Sequence, residues 1–275
     1  MSFKAKPPLG TLVNPYHSIG KHCIGSWLLN EKGGNIIFDS SGHGQIGTFN
    51  TPALFDWSTN DLGRSLYSTA NTSNVVVAAK QKLLDAPIGH NFTVVFSAKM
   101  SAYTALRAAL AWGGTDDLII YPYDTNVGNG TRVYWRDAGG NQIDINAGAP
   151  SAGEYHQFTY LSKAGNDHRL YIDGRWVITS AVSGGVAGPF NSFTLHGWAD
   201  GTQGFVGNLE YAYVFDRVLT PYEIASLHTN PYQMFEPVIP LSLMGYEAAA
   251  SSRILTANIN INFNCNITIS AGRAQ

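Results

Sequence analysis

Charge is scarce in this chain of 275 residues. Lys plus Arg number 17 and Asp plus Glu 19, giving a formal net charge of -2 and only 13% charged residues, about half the usual share of about 25%. That balance argues against a phosphate-tracking surface and so against nucleic acid as a partner. Cysteine is scarcer still: Cys23 and Cys265 lie near opposite ends, and no short-spaced pair exists for a zinc knuckle or a redox dithiol. No stretch approaches the roughly 18 apolar residues of a membrane span, and the start, MSFKAKPPLG, lacks the apolar run of a secretion signal. The expected setting is therefore a cytoplasm that holds the product until release, with no membrane partner. Glutamate is limited to six residues, Glu31, Glu154, Glu210, Glu223, Glu236 and Glu247.

What is present is apolar and aromatic: 44% hydrophobic and 12% aromatic residues supply enough buried area to offset chain entropy. Short runs rich in Val, Ile, Phe, Tyr and Trp recur between Gly, Asn and Asp clusters, at 24–29, 36–39, 75–79, 92–100, 108–112, 118–123, 131–136, 157–162, 168–173, 175–179, 191–198 and 207–215. Many short strands separated by turn chemistry predict an all-β fold, an antiparallel two-sheet sandwich or jelly roll. Within it, Asp173-Gly174 predicts a tight hairpin, because its turn requires positive φ. One short helix is expected near 220–229, where Thr220 caps, Pro221 takes the first position and Glu223 completes a capping box.

Three segments follow from the composition. Residues 1–20, with Pro7, Pro8, Gly10 and Pro15 and no periodicity, read as an extended arm laid over something else. Residues 21–237 form the sandwich. Residues 238–275 are a linker and a tail in which Leu255, Ala257, Ile259, Ile261, Phe263, Cys265, Ile267 and Ile269 alternate with Thr and Asn. Strict period two predicts a strand, and a lone strand needs partners for its ladder groups and its apolar face. Two readings stand: it completes its own sheet, or it pairs with another copy of the chain, with Ile259, Ile261, Phe263 and Ile267 as assembly contacts.

Catalytic machinery is not visible. Glycoside hydrolysis needs two facing carboxylates, yet no glutamate stands two or four residues from another carboxylate on a strand. No G-x-S-x-G elbow occurs, and the eight histidines show no metal-helix spacing. The chain is therefore read as a non-enzyme. Asp39-Ser40-Ser41-Gly42-His43-Gly44 has a carboxylate followed by turn backbone, suited to Ca²⁺ at Asp39 or to an ordinary Asx turn. Aromatic rings give the binding signal: Trp112, Tyr121, Tyr123, Trp135 and Trp198, with Asp200 beside the last, are candidates for stacking on sugar faces and bonding hydroxyls. Tyr134 and Trp135 face opposite ways.

The order of motifs resembles the laminin G-like (pentraxin-like) jelly-roll domains of the concanavalin A-like lectin/glucanase superfamily. The resemblance rests on Gly25-Ser26-Trp27-Leu28-Leu29-Asn30-Glu31 and Asp39 through Gly44, then Asn91 through Ala98, His156-Gln157-Phe158-Thr159, Leu170 through Gly174, and Phe205 through Leu219. It implies two packed antiparallel sheets, commonly a calcium site, and a surface for glycans or proteins. The superfamily's hydrolases carry Glu-x-Asp-x-x-Glu or Glu-x-Asp-x-Glu, which this chain lacks. Asn14-Pro15-Tyr16-His17 and Asn230 through Pro237 resemble the flanks of laminin G-like proteins of tailed bacteriophages. That resemblance implies a virion structural protein, a capsid decoration or other surface protein that is assembled in the host cytoplasm and contacts copies of itself, the capsid and host glycans. A free-standing lectin or tail adhesin, and less so a glucanase, are the competing classes.

Overall fold

The run Asn91–Met100 shows how the architecture arises. Its alternation sends Phe92, Val94, Phe96, Ala98 and Met100 to one side and Thr93, Val95, Ser97 and Lys99 to the other, and nearly every position on both sides is buried. A strand buried on two faces must lie inside a sheet that is covered twice. In the computed structural model, which describes residues 5–60, 63–88, 91–101, 107–114, 117–125, 130–136, 142–163, 167–180, 189–198 and 201–236, that is where it lies. The chain divides into a unit of residues 1–236 and a second of residues 237–275; the expected linker and tail, with Ile259, Ile261, Phe263, Cys265 and Ile267, fall outside the described residues.

The strands are β1 Cys23–Trp27, β2 Ile36–Ile37, β3 Gly47–Phe49, β4 Phe55–Asn60, β5 Gly63–Ser68, β6 Val75–Val77, β7 Asn91–Met100, β8 Leu110–Gly114, β9 Asp117–Asp124, β10 Gly130–Arg136, β11 Gln142–Gly148, β12 Tyr155–Lys163, β13 Asp167–Ile172, β14 Arg175–Ser180, β15 Phe190–Leu195 and β16 Gly207–Phe215. All pairings between them are antiparallel. One sheet runs β14-β13-β12-β7-β16-β5-β4 with β1 added beside β16; the other runs β11-β10-β9-β8-β15-β6-β3-β2. The expected all-β jelly-roll sandwich is the fold observed. Between the sheets, Trp27, Trp112, Trp135, Phe92, Phe96, Phe158 and Phe193 fill the core, with Trp112 against Phe193 at 4.5 Å between ring centres and Phe96 stacked on Phe158 at 5.2 Å.

The outer face of the first sheet carries a second apolar layer. Helix α2, Pro221–Thr229, lies there, with the predicted capping box formed between Thr220 and Glu223. Ile224 and Leu227 from α2 and Met234 beyond it meet Val95, Leu161, Tyr171, Tyr211, Tyr213 and Phe215 from the sheet. The N-terminal stretch belongs to the same layer. Val13 and Ile19 are buried in it, the Val13 amide donates to Ser40 O at 2.8 Å and the Asn14 amide to Met234 O at 2.8 Å. The physical reason is the tyrosine-rich outer face, which leaves apolar area that the arm covers. A short helix α1, Gln81–Asp85, also forms, without a side-chain cap.

The Asp173-Gly174 turn adopts the expected conformation, with φ of 52° and 73°.

Candidate functional site

The outer face of the second sheet brings the binding-type residues together. On β10, alternation turns Val133 and Trp135 into the core and Arg132 and Tyr134 outward. Tyr134 stands beside Ile119 of β9 on one side and Asp144 of β11 on the other. Ile119 and Tyr121 of β9 join Ala108 and Ala111 in a small buried cluster, and the half-buried rings of Tyr134 and Trp198 pack against it. Arg132 is fixed: Nε and Nη2 donate to Asp144 at 2.9 and 2.6 Å, Nη1 donates to the buried Asp124 at 2.8 Å, and the guanidinium sits 4.7 Å from the centre of the Tyr134 ring. Tyr121 Oη donates to Gln203 Oε1 at 2.7 Å.

The turn carrying Trp198 and Gln203 is held under backbone strain. His196 and Gln203 have φ of 65° and 54°, a region non-glycine residues rarely enter and which the surrounding structure must enforce. Enforcement is visible: the Gly201 amide donates to Trp198 O at 3.0 Å and the Ala108 amide to Gln203 O at 2.9 Å. At Gly197 an added Cβ would stand 2.4 Å from Ser73 O. His196 lies wholly buried between Phe55 and Phe205, and burial pulls its pKa down to about 4. Chemically, the face offers two flat rings, a guanidinium, a carboxylate and an amide, a set that suits a ring-shaped polyhydroxyl ligand better than a purely apolar one.

Three of the six sequence-predicted ligand residues are elsewhere. Trp112, Tyr123 and Trp135 lie in the intersheet core, at 0%, 2% and 1% exposure, and Trp112 Nε1 donates to Leu83 O at 3.0 Å. These three positions are corrected to structural roles. Inward rings fill the space between sheets, and an irregularity in the β9–β10 register near Gly130 and Arg132 sends Tyr123 to the opposite face from Tyr121. Tyr121 is also buried, at 3%, so it forms the floor beneath Gln203 rather than a stacking surface. Trp198 is brought to the face, and Asp200 falls outside the described residues. Arg132, Tyr134, Asp144 and Gln203 were not among the predicted ligand residues; the outward period of β10 is the signal that finds Tyr134 and Arg132.

Asp39 does not fit a calcium ion. Its Oδ1 accepts from the amides of Ser26 and Ser41 at 3.1 and 2.8 Å, and its Oδ2 accepts from Ser41 Oγ and the Gln45 amide at 2.8 and 3.0 Å. Both oxygens thus face donors, whereas Ca²⁺ needs six to eight oxygens offering lone pairs. Among the described residues no group of three or more His, Cys, Asp and Glu is placed to hold a metal. The turn reading is the one the geometry carries.

Of the two buried glutamates, Glu210 is committed at both oxygens and Glu31 at one, its Oε2 having no hydrogen-bond partner among the described residues. Glu210 accepts from Ser97 Oγ at 2.8 Å and Asn60 Nδ2 at 3.3 Å, and Glu31 accepts from the Phe38 amide at 2.8 Å. Lys6 of the N-terminal stretch inserts its ammonium beside them, donating to the carbonyls of Leu28, Arg64 and Glu210. Burial lowers the Lys6 pKa to about 7 against the opposing pull of Glu210 and Glu31. The arrangement ties the arm to the sheet.

Comparison with known proteins agrees with this description. No curated protein matches the chain. Among solved structures, domain 4 of AbnA, an extracellular arabinanase from Geobacillus stearothermophilus solved with arabinotriose, has a TM-score of 0.57 at 16% identity, covering 75% of this chain and 98% of that one. The binding domain of Paraclostridial mosquitocidal protein 1 has a TM-score of 0.61 at 14% identity, covering 78% of this chain and 54% of that one. The binding domain of botulinum neurotoxin DC, solved with rat synaptotagmin II, has 0.56 at 15%, covering 77% and 52%. The chain thus spans nearly all of the arabinanase domain and about half of each toxin binding domain; at these identities the likeness is one of fold. A laminin G family model, described as concanavalin A-like lectin/glucanases superfamily, matches residues 69–225, and the chain belongs to that superfamily.

Proposed function

We propose that this chain is a non-catalytic, glycan-binding jelly-roll module carried on a bacteriophage particle, as a capsid decoration or other virion-surface protein. The observation that carries the binding half is the half-buried rings of Tyr134 and Trp198 against one small cluster, with the fixed Arg132–Asp144 fork beside Tyr134. Flat rings flanked by oriented polar groups match a sugar's apolar face and its hydroxyl rim. The non-catalytic half is supported by Glu31 and Glu210, whose hydrogen bonds and Lys6 neighbour tie them to structure rather than to a cleft.

The virion half is supported by the flanks that resemble phage proteins. They come from opposite ends of the unit and meet: Asn14 donates from its amide to Met234 O and from Nδ2 to Glu236 O, both at 2.8 Å. Copies of the chain and a capsid protein are the partners under this reading, with the 238–275 tail as the fastening. Two measurements test it. Imaging of purified particles for this polypeptide should find it at a fixed stoichiometry, and its absence from particles would overturn the virion half. Incubation with polysaccharides should release no reducing ends; release that disappears in Glu31→Gln or Glu210→Gln would overturn the non-catalytic half.

A further inference from the structure

A separate pocket lies on the first sheet, where the strand face meets the entry to α2. It encloses about 190 Å³, space for roughly six waters at about 30 Å³ each, which is the scale of one sugar ring. Its floor is apolar, built from Leu161 of β12, Tyr171 of β13 and Leu219, all 3% exposed or less. Its rim is cationic, with exposed Lys163 and half-buried Arg169. Arg169 is held in place by Asp167, to which Nε and Nη2 donate at 2.8 and 2.7 Å. Asp167 is the one carboxylate paired to the rim, so Lys163 leaves it with a net positive charge. Pro221 closes the helix side. The other nearby carboxylate, Glu223, is bidentate with Arg217 at 2.6 and 2.9 Å.

One exposed ring lies next to a residue of the lining, outside the lining itself. Trp176 of β14 is the cross-strand partner of Tyr171, so the two share a face of the sheet, and Trp176 is 62% exposed. On the strands of this sheet the other large rings are buried or half-buried, so Trp176 is the ring most open to a ligand.

We propose that this pocket, with Trp176 as its outer wall, binds a single carboxylated sugar unit, a uronic acid residue of an acidic glycan. The sugar's apolar face lies on Trp176 above the floor of Leu161, Tyr171 and Leu219, and its carboxylate meets Lys163 and Arg169, a charge-assisted contact stronger than a neutral one. The assignment rests on the glycan-binding reading but uses residues of the opposite sheet, so the two sites fail separately.

The test is a titration of the full chain with glucuronic acid and, at equal concentration, glucose, which differs only in lacking the carboxylate. The readout is the NMR signal of the Trp176 indole N–H. Glucuronic acid should shift that signal and glucose should not. Lys163→Glu, at an exposed position, should weaken binding at least about tenfold and Lys163→Arg should retain it, while Tyr134→Ala should leave the titration unchanged. An equal response to glucose, no response to glucuronic acid, or full binding by Lys163→Glu would overturn the proposal. Loss of the Tyr134-dependent binding alone would overturn only the reading of the other face.

Discussion

Lys6 stands at the smallest scale on which the fold is decided. Its ammonium has three carbonyl acceptors and two buried carboxylates for neighbours, so deleting it leaves those carbonyls without their shared donor. Lys6→Ala is expected to lower stability by about 1 to 2 kcal/mol, since three carbonyls lose their donor; equilibrium denaturation measures it. The pH dependence has a definite sign. With the folded pKa near 7 and an unfolded value of 10.5, the unfolded chain binds more protons between those limits, so stability rises with pH from about 7 to 9. Lys6→Met should flatten that slope. Asp39 is the other residue with a sharp expectation: Asp39→Ala should cost about 2 kcal/mol through its lost turn hydrogen bonds, and chelator should leave the melting temperature of the parent protein unchanged. A chelator-sensitive melting temperature would restore the calcium reading. Neither Lys6 nor its pocket was legible in the sequence, because a lysine among Pro and Gly near an end carries no periodic signal and its acceptors are backbone carbonyls brought from three distant segments.

At the scale of elements, local chemistry was legible wherever it needs no partner. The Thr220–Glu223 capping box and the Asp173-Gly174 turn follow from side chains a few residues apart, and both formed as expected. Thr220→Ala should cost about 1 kcal/mol. The strands β4 and β5, Phe55–Asn60 and Gly63–Ser68, escaped notice because Asp56, Ser58, Asn60, Arg64 and Ser65 dilute the apolar pattern on an outer face. The site depended on which face each ring takes, and one register irregularity on β9 was enough to separate Tyr121 from Tyr123. The turn that presents Trp198 is tested by Gly197→Ala. Its new Cβ would press on Ser73 O at 2.4 Å, and it should destabilise the protein by about 2 kcal/mol, as forced overpacking does, and weaken glycan binding in parallel.

Within residues 1–236 the fold consists of two sheets over a ring-filled core, with a third layer of arm and helix that, among the described residues, seals only the first sheet. That asymmetry leaves the second sheet's outer face, with Tyr134 and Trp198, as the place for a ligand. The family and fold class were legible because alternation and turn chemistry repeat over the full domain; the ligand residues were not, because solvent exposure depends on which layers cover which face. Removing residues 238–275 is expected to abolish self-association or particle attachment, as read by sedimentation, and to leave residues 1–237 with unchanged circular dichroism. The most direct test of glycan binding is NMR mapping of a bound oligosaccharide on the assigned domain. Shifts centred on Tyr134, Trp198 and Gln203, with affinity lowered about three- to tenfold in Tyr134→Ala, are the predicted result. An oligosaccharide that perturbs none of these residues, or that binds Tyr134→Ala as tightly as the parent, would contradict the account.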